Sequence, residues 1–273
     1  MIQKKDLLYK DLLKKEVITS KEIEKAALEI VELTLSPALI PKYIYGEYTA
    51  KLLGEGKLQK IRRGLYAVLS PLEEPTTHTS DKFIIASKIR DHYYLGFHSA
   101  LEYYGSAYSH YNEVYITVLP KNRFSSFKYQ NLNFKPVFTK DISFGIETKK
   151  YRTTKIKVSS KERTFVDCVD RPDYAGGWEE CLKSLSVLSG LDFNKIIDIL
   201  NMYNKKNLYA KVGFVLELLR EHSVFYEHLS DKTLNKIKAH KPKTPNYLER
   251  SGRSILNKDW NLYIMEEFVE YLR

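Results

Sequence analysis

Cysteine is nearly absent from this sequence: Cys168 and Cys181 are the only two in 273 residues. Two thiols without a flanking His pair make neither a zinc site nor the disulfide framework of a small secreted domain. Glycine is sparse at 12 residues. No Walker loop, dinucleotide-binding glycine motif or Ser/His/Asp elbow occurs. No run of about 18 apolar residues is present, which argues against a membrane-spanning helix. The start, MIQKKDLLYKDLLKK, lacks the apolar core of a secretory signal. Internal repeats and low-complexity tracts are missing as well. The expectation from these absences is a cytoplasmic, non-enzymatic protein with no cofactor, no bound metal and no membrane partner.

What is present is the composition of an ordinary globular chain, 43% hydrophobic and 29% charged, with a formal charge of +10 and a pI near 9.2. Residues 1–70 hold 13 Lys/Arg against 9 Asp/Glu, residues 71–160 hold 13 against 8, and residues 161–273 hold 18 against 17. The basic excess lies in the first 160 residues, so contact with a polyanion is expected from that part.

Leu7, Leu8, Leu12 and Leu13 share one face at helical spacing, with lysines opposite. Thr19 stands three residues before Glu22, a capping box that opens a second helix through Ile23, Ala26, Ala27 and Ile30. After Ser36-Pro37, Pro41 suits the first turn of a third helix reaching about Leu53, stopped by Gly54 and Gly56. KLQKIRRGLYAVL (57–69) alternates as a β-hairpin does. Three helices and a short basic hairpin form the order of a winged helix-turn-helix. Residues 70–80 (SPLEEPTTHTS) are polar, hold two prolines and read as a linker. The expected domains are 1–72 and 80–273. In the second, helices are expected at 81–91, from about Ser99, and near 160–170, 176–189, 192–203 and 207–221. Strands are expected at 113–120, 132–138, 142–148 and 151–158, with an apolar run at Tyr93–Phe97. The stretch after KPKTPNY fits either a short strand or a remnant of helix. The fold class is α+β: an N-terminal winged helix-turn-helix followed by a larger mixed α+β domain.

The third helix would present Lys42, Tyr43, Tyr45, Glu47, Tyr48 and Lys51, and the hairpin Lys57, Lys60, Arg62 and Arg63 with no acid among them. A helix in the major groove reads base edges, while cations on a wing displace counterions from the phosphates. The competing reading is a small protein-interaction adaptor with a solvated basic edge. A second basic stretch, Lys149, Lys150, Arg152, Lys155 and Lys157, carries two readings. It adds phosphate contacts, or it is a sheet edge that lysines protect from aggregation.

GKLQKIRRGLYAVL (56–69), FHSALEYYG (97–105), EVYITV (113–118) and above all KERTFVDCVDRPDYAGGWEE (161–180) resemble the AbiEi family of antitoxins and transcriptional regulators from phage-defence systems. The resemblance runs, with gaps, over most of residues 15–220. It implies an N-terminal winged helix joined to a larger antitoxin domain, and an autorepressor that binds double-stranded operator DNA. It also implies a partner in function, a nucleotidyltransferase-like toxin of the AbiEii type, counteracted in the type IV manner without a stable complex. By position, the DNA-binding role falls on the third helix and on Lys57, Lys60, Arg62 and Arg63. The sequence departs from the family in its long N-terminal lead and its Tyr-rich, proline-opened third helix.

Other residues invite chemistry. Arg163–Asp167 and Asp167–Arg171 are i, i+4 pairs that read as support for a helix, with Phe165, Val166 and Val169 facing the core. Asp141, Glu147 and Lys149 follow the skeleton of a metal-dependent nuclease, though Glu147 and Lys149 also make an ordinary charge pair on a strand. His92, His98 and His110 have spacings that no regular element brings onto one metal, and His98 suits the cap of the next helix. The tyrosines of 93–111 read as packing rather than as a platform for single strands.

Overall fold

Helix α1 (Lys4–Leu12) buries Leu8, Tyr9 and Leu12, an i, i+4 seam, whereas Leu7 and Leu13 are 42% and 39% exposed. The shared leucine face expected above is thus only half used, because the first unit receives one narrow stripe of a nine-residue helix. The computed structural model describes residues 3–31, 35–250 and 252–272, so Met1, Ile2 and Arg273, the extremes of the expected domains, lie outside them. The fold is mixed α+β. Packing divides the chain into two units: Met1–His92 with Ser125–Phe134 and Lys149–Ile156, and Tyr93–Phe124 with Lys135–Thr148 and Lys157–Arg273.

In the first unit, strand β1 (Val17–Thr19) leads into α2 (Ser20–Ile30). The capping box forms as expected: Glu22 N–H donates to Thr19 Oγ1 at 3.2 Å, and Thr19 N–H donates to Glu22 Oε2 at 2.9 Å. The third helix, α3, is continuous over 40–54 but changes pitch, with a π turn at Tyr45–Thr49 between α segments Ile40–Ile44 and Ala50–Gly54. Ile44, Tyr48 and Leu52 turn inward at spacings of four. Strands β2 (Leu58–Arg62) and β3 (Leu65–Val68) form the expected hairpin, with a bulge between Lys60 and Arg62. Its turn is closed by Gly64 at φ +77°, whose carbonyl accepts from Ser20 N–H at 3.0 Å. The three-residue β1 is an addition to the sequence reading; it pairs antiparallel with β3, giving the sheet order β1-β3-β2.

Residues 70–80 lie within this unit rather than at its end. Several of their polar groups are paired: Ser70 N–H donates to Glu73 at 2.7 Å, Gln59 Nε2 to the Pro75 carbonyl at 2.8 Å, and Nε2 of buried His78 meets Ser80 Oγ at 2.9 Å. Helix α4 (Lys82–Ser87) follows, shorter than the expected 81–91, with the Asp81 carboxylate capping Phe83 and Ile84 N–H.

Strands β4 (Tyr93–Leu95), β5 (Glu113–Val118), β6 (Phe127–Tyr129), β7 (Leu132–Phe138), β8 (Ile146–Tyr151) and β9 (Thr154–Ser159) form a sheet ordered β6-β7-β5-β4-β9-β8. Strand β4 is antiparallel to β5 and parallel to β9. The 142–148 expectation shifts to Ile146–Tyr151 because Asp141, Ser143 and Gly145 (φ +60°) make a turn first.

The second unit packs α5 (Phe97–Tyr103), α6 (Lys161–Asp170), α7 (Trp178–Ser186), α8 (Phe193–Tyr203) and α9 (Lys206–His222) into one core. Gly176 and Gly177 adopt φ +91° and +88° and deliver Trp178, 4% exposed, into that core. Helix α10 (Asp231–Lys238) and the strands β10 (Asn246–Tyr247), β11 (Ser254–Asn257) and β12 (Leu262–Met265), in the order β10-β12-β11, complete it. Strand β6 and helix α10 have no counterpart in the sequence reading, whereas the stretch after KPKTPNY, which fitted a short strand or a remnant of helix, holds strands β11 and β12.

Candidate nucleic-acid interface

Helix α3 runs straight into the hairpin. Gly56 N–H donates to the Leu53 carbonyl at 3.2 Å and Lys57 N–H to the Leu52 carbonyl at 2.9 Å, so the first strand starts within one turn of the helix end. With Ile44, Tyr48 and Leu52 inward, the outer face of α3 carries Lys42, Tyr43, Tyr45, Glu47 and Lys51. Tyr45 is 50% exposed; Tyr43 is 37% exposed and meets Tyr48 edge-on at 6.5 Å. Tyr48, expected to face outward, is therefore buried. Lys51 pairs with Glu47 at 2.7 Å, a solvated i, i+4 contact, and the exposed Lys42 has no ion pair among the described residues.

The four hairpin cations differ in kind. Lys60 and Arg63 are exposed and unpaired among the described residues. Lys57 turns toward α1, 3.2 Å from Asp6 and 2.9 Å from Glu55, with its ammonium 5.0 Å from the Tyr9 ring centre. Arg62 stacks on Phe127 at 4.6 Å, and its Nη1 is buried without a hydrogen-bond partner. Burial, then the charge of Arg90, pushes the Arg62 guanidinium below its ordinary pKa. Sequence spacing gave no sign of Arg90 or Lys88, which stand beside Arg62 and Arg63 in a cleft. They lie some 25 residues further along the chain, beyond the reach of any local pattern.

In the second basic stretch, Lys150 and Lys155 are exposed, and Lys149 and Lys157 half-buried. Arg152 lies 3.4 Å from Glu16 and 3.6 Å from Asp81. Strand β8, with Lys149 and Lys150, is at one end of the sheet order.

The charge ladder of α6 forms at Arg163–Asp167, with Nε 3.5 Å from Oδ2, and it does so in the interior, where Arg163 is fully buried and Asp167 2% exposed. Arg163 donates to Tyr94 Oη at 3.0 Å and to the Asp141 carbonyl at 2.8 Å, and also to the Phe144 carbonyl. Asp167 accepts from Tyr94 Oη at 3.1 Å and from Tyr203 Oη. Burial raises the Asp167 pKa, and the Arg163 charge opposes it. This network ties α6 to β4, α8 and the 141–144 turn, a structural role, with the Arg163 Nε left without a hydrogen-bond partner among the described residues.

Among the described residues, no group of three or more His, Cys, Asp or Glu is arranged to hold a metal ion. The Asp141 carboxylate, a member of the nuclease skeleton, accepts from Ser143 N–H at 2.6 Å within its turn. His98 does not cap α5, as expected from sequence; Gly96 stands at the cap, and His98 is buried between Glu102 (3.8 Å) and Glu180 (3.5 Å). Cys168 and Cys181 are free and buried. No described helix is long and apolar enough to cross a membrane.

No family model matches the chain, and no curated protein matches it. The crystal structure of the RV2827C protein from Mycobacterium tuberculosis is similar: 15% identical, with a TM-score of 0.66 over 98% of this chain and 91% of that one. At that identity the likeness concerns the mixed α+β fold alone.

Proposed function

We propose that residues 3–69 form a winged helix-turn-helix that binds double-stranded DNA. The supporting observation is the element order, helix–strand–helix–helix–hairpin closed by the β1-β3-β2 sheet, with exposed Lys42, Tyr45, Lys60 and Arg63 on the third helix and hairpin. On this reading α3 is the recognition helix and the hairpin is the wing. Tyr43, Tyr45 and Lys51 face the bases or their phosphates, while Lys57 steadies the wing against α1. The resemblance of 56–69, 97–105, 113–118 and 161–180 to AbiEi proteins extends the proposal. The chain is then a cytoplasmic autorepressor and antitoxin that counteracts a nucleotidyltransferase-like toxin.

The test is a gel-shift titration of the full chain on duplex from upstream of its own coding sequence. Replacing Lys42 and Lys60 together by Ala is expected to weaken binding about tenfold or more and to flatten its salt dependence by up to two phosphates' worth. Absence of any duplex binding near 50 mM salt, or an unchanged slope in the double variant, sinks the assignment. For the antitoxin role, growth rescue on co-expression with a neighbouring nucleotidyltransferase-like gene is the expected outcome.

A further inference from the structure

Polar groups without partners gather around one cleft of the second unit. It measures about 330 Å³ and lies between the start of α9, the 3₁₀ turn Pro172–Ala175, the start of α7 and the chain of β10 and the residues just after it. Asn207 and Lys211, i and i+4 on α9, share the helix face that borders it. Lys211 is half-buried and makes neither an ion pair nor a hydrogen bond among the described residues. Burial pushes its ammonium below the ordinary lysine range, and the charges of Asp170 and Glu249 oppose that push. Asn207 Oδ1 is buried without a donor, and Nε1 of Trp178, another lining residue, is buried without an acceptor. Half-buried Glu249 and exposed Asp173 and Arg250 also line the cleft and have no ion pair among the described residues. The backbone beneath these groups is tied down: Leu248 N–H donates to the Tyr263 carbonyl at 3.0 Å and Gly177 N–H to the Pro172 carbonyl at 2.9 Å. Buried polar atoms left open on a fixed frame are a standing cost that a matching ligand removes.

We propose that this cleft binds a small zwitterion, an α-amino acid with an apolar side chain. The lining carries two cations and two anions, and the charges stand apart instead of neutralising one another. Lys211, with Arg250 at the rim and the Trp178 N–H, supplies donors for a carboxylate; Glu249, with Asn207 Oδ1, supplies acceptors for an ammonium. A simple anion would satisfy Lys211 and leave Asn207 Oδ1 and Glu249 open, and a simple cation would do the reverse. Pro172, Trp178 and Leu248 give the cleft an apolar wall for the side chain. Its volume falls at the small end of the roughly 300–1,000 Å³ common for ligand sites, which suits a molecule of amino-acid size. The site goes beyond the DNA-binding reading and does not depend on it.

The experiment titrates L-leucine, L-valine, L-methionine and L-phenylalanine into the full chain at constant ionic strength, following the thermal midpoint and the heat of binding. Two leucine analogues with one charge each, 4-methylpentanoate and isopentylamine, run alongside. The wild type is expected to show a saturable rise in Tm with at least one of the amino acids. The one-charge analogues are expected to bind about tenfold more weakly than leucine, or not at all. Lys211→Gln is expected to lose about tenfold or more in amino-acid affinity while leaving isopentylamine unaffected. Glu249→Gln is expected to lose as much while leaving 4-methylpentanoate unaffected. This crossed pattern separates recognition of two charges from a general loss of structure. Arg250→Gln, at an exposed position, is expected to weaken binding and keeps the test valid if either of the others unfolds. A wild type indifferent to all four amino acids overturns the site. So do analogues that bind as tightly as leucine, or an affinity that survives in all three variants.

Discussion

Glu22 joins three contacts of the first unit in one carboxylate: it caps α2 through Thr19, receives Lys88 at 2.6 Å and lies 3.3 Å from Lys15. Burial pushes its pKa up, but the hydrogen bonds from Lys88 and Thr19 outweigh burial and hold the carboxyl at about 2, against an ordinary 4.5. The folded pKa is depressed, so the stabilisation is complete above about pH 4.5 and is lost as pH falls toward 2. With solvent screening of a partly exposed pair, the amount is about 1–2 kcal/mol. Urea unfolding of Glu22→Gln is expected to show a flatter stability profile than the wild type between pH 4.5 and 2; parallel profiles refute the role. Gly213, in the middle of α9, is a second residue with a measurable consequence. A Cβ there would lie 2.1 Å from Trp260 Cζ3, and the indole is fixed because its Nε1 donates to Glu217 at 2.6 Å. Gly213→Ala gains roughly 0.5–1 kcal/mol of helix propensity but overpacks a fully buried ring, costing about 1–3 kcal/mol or more. The net expectation is a lower unfolding midpoint; a higher one would show that Trp260 can move.

Elements set by local periodicity were legible in the sequence, and those set by partners were not. The Thr19–Glu22 box, the proline-opened third helix and the Leu58–Val68 hairpin each carry their signal within a dozen residues, and all three form. Strand β1 has three residues, too few for a period, and exists because β3 offers it a ladder. The 70–80 stretch has the composition of a linker, but Gln59, Gln130 and Ser80 supply hydrogen bonds to Pro75 and His78 that composition does not reveal. Helix α6 is the clearest lesson. The i, i+4 spacing of Arg163 and Asp167 shows their support for the helix, but not that Tyr94 and Tyr203, some 70 and 40 residues away, enclose them. The candidate interface divides in the same way. Exposed Lys42, Lys60 and Arg63 follow from the pattern, whereas the inward turn of Lys57 to Asp6 and the meeting of Arg62 with Arg90 are tertiary events.

At the scale of the whole chain, the basic excess follows the packing units more closely than the expected domain ranges. The first unit holds 21 Lys/Arg against 13 Asp/Glu, a net of +8, and the second 23 against 21, a net of +2. Part of the +8 comes from the 149–156 segment. Arg152 is drawn to Glu16 and Asp81, and β8 ends the sheet order, where charged side chains commonly block pairing with another chain. These placements favour the edge-protecting reading over phosphate contact. Replacing Lys150 and Lys155 together by Ala is therefore expected to leave the slope of log affinity against log salt changed by less than one. The same measurement on the Lys42 and Lys60 double variant is expected to lose more, since each phosphate contact contributes about 0.9 to that slope. If the Lys150 and Lys155 pair instead lowers it by about 1.8, the DNA path crosses the sheet edge and includes both lysines. A gain of aggregation in that variant, with its slope intact, is the signature of an edge whose lysines keep other strands away.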